Sequence, residues 1–592
     1  MGKTFVEKIL GADAGTVVFR KPGLVLTHDN TSSIQAIFRK MGGIKVSDPD
    51  QLIVVLDHNA PPTNSKLANS YQAIRDFVRE QQVQKFFDAG EGICHQLMAR
   101  VARPGMLIVG SDSHTCTAGA FNSFAAGIDR TEAAGIWKTG ETWFKVPGSI
   151  KISLYGKLRE HVSAKDVALY LIGKLGSNGA DYKSIEFWGD GVEEISVAGR
   201  MVIANLASEM GAKNAVFPAD DRLIKYFRKP LNGIWADSYA TYDATYEIDM
   251  EKIPPLVACP HHVDNVKTVE EVGEIPIHQA LIGTCTNGRL EDLRVAAKVL
   301  EGEKVAPGVQ LLVAPASKEI YIQAIQEGIV EILLEAGATM LSPSCGPCLG
   351  TGQGIPADNT NVVSTANRNF LGRMGNKNAS IYLASPETVA FSALTGKLSN
   401  PGEFAGSEFV SEKKEVSKVE IQEGDFRKNK NVWNYADIDN LNTDQMFAGN
   451  LTYQVSSAEP EAVLPHLFKG FDPAFSENVK QGDILICGEN FGCGSSREHP
   501  SVGLRFAGVQ AVIVKSVARI FYRSAINQGL PVIIHPEAVD FYKPGDNVSV
   551  FLEEGKIIIG EREFDFSPLP EKLMNILHNG GLVESIKSEK IE

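Results

Sequence analysis

Between about residues 50 and 400, short apolar runs alternate with helical patterns, and this most constrains how the chain can fold. Such alternation predicts βαβ units and a mostly parallel sheet, because parallel strands need a long crossover between them and a helix supplies it. The strand-like runs fall at 52–56, 106–109, 150–154, 280–283 and 310–313. Helix starts are legible too: Ser163 stands three residues before Asp166, a capping box ahead of Val167, Tyr170, Leu171 and Leu175. Polar chemistry follows the runs directly, with Asp57–His58, Asp112–Ser113–His114 and Cys285 each just beyond one. In an open α/β sheet those positions border the crevice at the carboxyl ends of the strands.

At 592 residues the chain exceeds what one hydrophobic core supports, so more than one domain is expected. The α/β pattern stops at 397–431, where Gly, Ser and charged residues take over. We therefore expect a catalytic domain over 1–400, a connection over 401–430 and a second α/β domain over 431–592. The second carries strand-like runs at 483–487, 511–515 and 531–534, and a hairpin turning at Glu554–Gly555. No internal repeat is evident.

A net charge of −14 and the lack of a basic stretch argue against nucleic acid or an anionic membrane surface as partner. The opening MGKTFVEKILGADAG has no apolar core of a leader, and no later stretch reaches roughly 18 uninterrupted apolar residues. A cytoplasmic protein is expected. Eight cysteines in so long a chain do not form a disulfide framework. In a reducing compartment, clustered cysteines point to metal or redox chemistry.

The clustered ones are Cys285 in GTCTNGR (283–289) and Cys345 and Cys348 in PSCGPCLG (343–350). Three thiolates are one short of a closed four-cysteine site. A cubane cluster held this way keeps one iron open as a Lewis acid, which suits catalysis better than electron transfer. Structural zinc would ordinarily close with a fourth ligand, and no second CxxC accompanies Cys285. The Cys-Gly-Pro-Cys frame also matches a thioredoxin motif, but it lies deep inside a large domain.

Two further clusters are dense in titratable groups, Asp57–His58 and Asp112–Ser113–His114, and His95 stands in GICHQ. A single histidine with one carboxylate is commonly a satisfied loop residue; three together suit proton delivery to a departing hydroxyl. GENFGCGSSREH (488–499) places Ser495, Ser496 and Arg497 after a glycine-rich turn. That is either a helix cap or a carboxylate-binding loop. Arg368 and Arg373 in TANRNFLGRMG add cations suited to a di- or tricarboxylate.

Together, GTCTNGR, PSCGPCLG, NRNFLGRMG, GSDSHT, LDHN and FGCGSSREH resemble the aconitase superfamily, in its isopropylmalate dehydratase and homoaconitase branch, over nearly the whole chain. The resemblance implies a three-part α/β catalytic domain and a C-terminal swivel domain, here on one polypeptide. It implies Cys285, Cys345 and Cys348 as ligands of a [4Fe-4S] cluster and Ser496, used as an alkoxide, as the base that removes a carbon-bound proton. Neighbouring amides and Arg497 would have to stabilise that anion. His58 with Asp57 would handle the hydroxyl proton. His95 and His114 would be further active-site histidines partnered by Asp112 and Glu209. Arg368, Arg373 and Arg497 would bind substrate carboxylates, with Ser113, Ser495 and Asn205 assisting, and His28 falls at a substrate-contacting position.

The implied reaction is reversible dehydration of a hydroxy di- or tricarboxylic acid, of 3-isopropylmalate or homoaconitate type, by a monomer or small homo-oligomer. The fused layout resembles aconitase, which leaves citrate–isocitrate isomerisation as the alternative. The loop NTDQMFAGNLTYQV from Asn442, where isopropylmalate enzymes often carry an arginine, has none; Tyr453 and Gln454 are neutral. Outside catalysis, an iron-sensing RNA binder and a zinc-stabilised binding protein remain readings of the same cysteines.

Overall fold

The computed structural model describes residues 2–402, 428–452 and 454–588. Most of the expected connection, and Tyr453, therefore lie outside the described residues.

The apolar runs are strands, and they sort into three main sheets before residue 402. The first is wholly parallel, in the order Lys85–Phe87, Leu52–Val55, Leu24–Thr27, Leu107–Gly110, Phe124–Gly127. Every residue of Leu52–Val55 is buried, as a strand covered on both faces requires. The second is also parallel, with Ser149–Tyr155 and Ser184–Trp188 at its centre, flanked by Ala244–Asp249 and Asn214–Val216. The third has seven strands. Its parallel core of Ser380–Leu383, Asn361–Ser364, Gln279–Gly283, Gln310–Ala314 and Thr339–Met340 ends in antiparallel Leu256–Ala258 and Val266–Thr268.

The expected capping box is present. Ser163 Oγ accepts from Lys165 N at 3.2 Å and Asp166 Oδ2 accepts from Ser163 N at 2.8 Å, opening the helix Ala164–Leu175. Its apolar face packs with the second sheet in one core.

Beyond residue 428, the strands Val432–Tyr435, Ile484–Cys487, Ala511–Val514 and Val532–Ile534 form a parallel sheet, with Lys428–Asn429 antiparallel at its edge. The expected hairpin pairs Val548–Phe551 with Lys556–Ile559, and a third strand, Arg562–Asp565, extends it. No helix among the described residues is long and apolar enough to cross a membrane.

This C-terminal part is bonded tightly to the first sheet's edge. Arg523 donates to buried Glu132 from Nε at 3.1 Å while its guanidinium lies 3.7 Å over the Trp143 ring. Asn527 Nδ2 donates to Asp129 Oδ2 at 2.7 Å, and Thr131 donates from N and Oγ1 to Glu498 Oε2 at 3.1 and 2.8 Å. The final helix, Leu582–Ser588, sends Ile586 into the core around Trp137.

Candidate active site

The strand ends do converge. Asp57–His58 leaves Leu52–Val55, Asp112–His114 leaves Leu107–Gly110, His28 leaves Leu24–Thr27 and Cys285 leaves Gln279–Gly283. His28, His58, Asp112, Ser113, His114 and Cys285 border one cavity, which Cys345, Cys348, Arg368, Arg373, Ser495, Ser496 and Arg497 also line, with Asp57 behind His58.

Asp112 organises the acid–base cluster. Its Oδ1 lies 2.8 Å from His95 Nε2 and accepts from His114 N at 2.7 Å, while its Oδ2 lies 3.3 Å from His58 Nε2. Burial alone would raise this carboxyl, but the charge of His95 and the hydrogen bonds from His114, His58 and His95 hold it well below the usual carboxylate range. Asp57 Oδ1 is 2.7 Å from His58 Nδ1, and its Oδ2 accepts from Cys94 N at 2.7 Å. His58 is thus oriented through both ring nitrogens. His28 stacks on it with ring centroids 3.9 Å apart; burial, reinforced by His58, pushes His28 down to about 3.

Glu209 closes the network on the far side. It lies 2.8 Å from His114 Nε2 and accepts Arg368 Nε on both oxygens at 3.0 Å. Burial opposes its ionisation, yet Arg368 and His114 bring it down to about 2. Arg368 Nη2 also donates to Ser113 Oγ and to Gly494 O, both at 3.1 Å.

The serine loop is shaped by glycine. Gly492 has φ +75° and lies against Phe521, whose ring would stand 2.4 Å from any Cβ there; Gly494 has φ +101°. Ser495 N donates to Thr443 Oγ1 at 3.0 Å, and Ser496 faces the cavity. Arg497 departs from expectation. Its Nε, Nη1 and Nη2 are directed to Ser495 Oγ, Phe447 O and Asp444 Oδ1 at 3.0, 2.7 and 2.9 Å, so it braces the loop more than it awaits a ligand. Arg373 is the reverse case: buried Nε has no partner, and Nη2 lies 3.9 Å from Cys348 Sγ.

Cys285, Cys345 and Cys348 form no disulfide. The amides of Asn205 and Asn367 donate to Cys285 Sγ at 3.3 and 3.2 Å, which suits a thiolate. Burial raises Cys285 and Cys345, Cys345 to about 11; the charge of the neighbouring cysteines adds to the rise at both. Three clustered cysteines, two of them kept protonated chiefly by burial, with amide donors aimed at Cys285, fit a cationic metal group that takes all three as thiolates. Asn367, beside Arg368 in the same motif, escaped the sequence reading, as did Arg130, at the start of Arg130–Thr139 just past the strand Phe124–Gly127.

An open cavity at the carboxyl ends of parallel strands, with three free cysteines and a carboxylate–histidine network, is equipped for acid–base chemistry and offers donors for a metal group. The family comparison gives the class: residues 3–396 match the aconitase family (aconitate hydratase) and residues 403–537 the aconitase C-terminal domain, so the chain belongs to the aconitase family and is a hydro-lyase. Among particular proteins, it is similar to a probable methanogen homoaconitase large subunit from Methanosarcina mazei, 48% identical over 64% of this chain and 97% of that one. The 3-isopropylmalate dehydratase large subunit of Clostridium kluyveri is 45% identical over 68% of this chain and 100% of its own. A crystal structure of a 3-isopropylmalate dehydratase from Methanocaldococcus jannaschii is 36% identical over 27% of this chain and 93% of that chain, at a TM-score of 0.25.

Proposed function

We propose that the chain reversibly dehydrates and rehydrates a hydroxy di- or tricarboxylic acid of the 3-isopropylmalate or homoaconitate type. One observation carries this reading: three free cysteines, the Asp112 network and Ser496 border the same cavity, although they come from segments on both sides of 401–430. A catalytic domain over 1–400 and a swivel domain over 431–592 would then carry on one polypeptide what the relatives' large-subunit names assign to part of an assembly. Free thiols at the site accord with a cytoplasmic enzyme, and no second kind of chain is needed to complete it.

Cys285, Cys345 and Cys348 would hold a [4Fe-4S] cluster, whose chemistry here is that of a Lewis acid toward the substrate's oxygens. Arg373, with its unpartnered Nε, binds a substrate carboxylate. Ser496 removes the proton from the carbon next to the hydroxyl-bearing one. His58, held by Asp57 and by Asp112, delivers a proton to the departing hydroxyl. Asp112 orients the His95 ring and fixes the His114 backbone, so protons move within an ordered network. Glu209 and Arg368 position His114 and Ser113.

The test is anaerobic purification with iron and sulfide analysis, then an enoate absorbance assay across citrate, isocitrate, homoaconitate, 3-isopropylmalate and citramalate. About four irons per chain, the content of one cubane, with turnover of one acid supports the reading. Zinc without sulfide, or a reconstituted protein inert to all of them, overturns it.

A further inference from the structure

Arg130 is the one cavity-lining cation that neither the sequence motifs nor the proposed mechanism uses. It is 4% exposed, and no hydrogen bond or ion pair to its guanidinium exists among the described residues. Arginine stays charged, so a buried guanidinium without an anion is costly unless a ligand pairs with it.

The nearby carboxylates are all engaged elsewhere. Asp129 caps the helix at Glu132 N and takes Asn527, Glu132 takes Arg523 and Thr142, and Glu498 takes Thr131 and Ser457. The charge of Arg130 adds to the effect of burial in holding the imidazoles of His28 and His499 neutral. Arg130 also opens the helix Arg130–Thr139, where the helix dipole favours an anion and repels a cation. Arg368 and Arg497 are tied to Glu209 and Asp444. That leaves Arg373 beside Cys348 and Arg130 as cations open to ligand.

From the 442–455 loop, Gly449 and Thr452 line the cavity. The apolar lining side chains Ile93 and Leu349 instead adjoin His95 and Cys348 in sequence, so an alkyl arm placed by Arg130 would desolvate a guanidinium without pairing it.

We propose that Arg130 is a specificity-determining residue that pairs with the distal carboxylate of the substrate, making this a tricarboxylate-selective site. The inference rests on the hydro-lyase reading of the cavity. Its cation comes from the N-terminal α/β part and not from the 442–455 loop, which carries no arginine.

The test is calorimetric binding of tricarballylate and of succinate to the holoenzyme and its Arg130→Gln variant, beside KM and kcat on homoaconitate and 3-isopropylmalate. One charge-assisted pair is worth about 10- to 100-fold in affinity. Wild type should prefer tricarballylate by that factor, and the variant should lose the preference. Its KM for the tricarboxylate should rise to match, with kcat nearly kept and no rise for 3-isopropylmalate. Arg130→Lys, which keeps the charge, should retain part of the preference and serves if the glutamine variant misfolds. Equal binding of the two acids by wild type, or equal losses on both substrates, overturns the assignment. A holoenzyme that discriminates between the acids but turns over no hydroxy acid would instead sink the hydro-lyase reading alone.

Discussion

Asp112 serves His58, His95 and His114 at once, so its replacement differs from losing one base. Asp112→Asn keeps the shape but removes the charge that aligns the imidazoles of His58 and His95 and holds the His114 backbone. Turnover should fall by about 10²-fold or more, with KM changing less; steady-state kinetics showing near-normal kcat would remove Asp112 from the proton network. Ser496→Ala should lose about 10²- to 10⁴-fold in kcat and leave the cluster's visible absorbance intact. Wild-type turnover in that variant discards the serine base. The pH dependence has a definite sign. Glu209 is depressed from 4.5 to about 2, so its contribution is complete above about 4.5 and is lost as pH falls toward 2. His28, depressed from 6.5 to about 3, adds to the same trend, because the unfolded chain takes up its proton first as pH falls below 6.5. Denaturation midpoints should therefore fall on acidification from 6.5, and Glu209→Gln should flatten the slope below 4.5; an unchanged slope contradicts the coupling of Glu209 to Arg368 and His114.

At the scale of elements, the helix Arg130–Thr139 joins the two parts, and Glu132–Arg523 is its buried clamp. Glu132→Ala leaves Arg523 charged and unpaired against Trp143, at a cost of about 3–5 kcal/mol. Urea unfolding should report that loss, whereas a change under 1 kcal/mol would mean that water or Trp143 compensates. Element by element, the sequence was legible where one strand's own residues decide its fate. The runs near 52, 107, 280 and 310 are mostly buried and appear as nearly unbroken apolar stretches, while the run near 150 alternates Ile150, Ile152 and Leu154 with polar residues. Val17–Arg20 and Thr142–Lys145 were not: they are short, half-polar, and exist through pairing across more than a hundred residues. Thr339–Met340 likewise depends on its neighbour. In the site, the cysteines, the acid–base set and Ser496 were readable because their motifs are dense in chemistry. Arg130 was not, since a lone arginine at a helix start resembles any surface cation until its burial is known. Arg497 was read as a ligand for substrate because its partner, Asp444, lies 53 residues earlier in the chain.

On the scale of the whole molecule, the proposed cluster would tie Cys285 to Cys345 and Cys348 from a segment sixty residues later, and as a ligand of the folded state alone its loss should weaken the fold as well as stop turnover. Chelation with oxidation should lower Tm in parallel with the loss of iron. A Tm indifferent to iron content would place the metal elsewhere.

Glu498 stands two positions beyond Ser496 and grips Thr131 across the seam between the two parts. Any swing wide enough to admit a substrate there must release that grip and carry the serine away from the cysteines in the same movement. Glu498 shares that seam with Arg523–Glu132 and Asn527–Asp129, so the distance between serine and cysteines is held by several contacts gathered at one helix start.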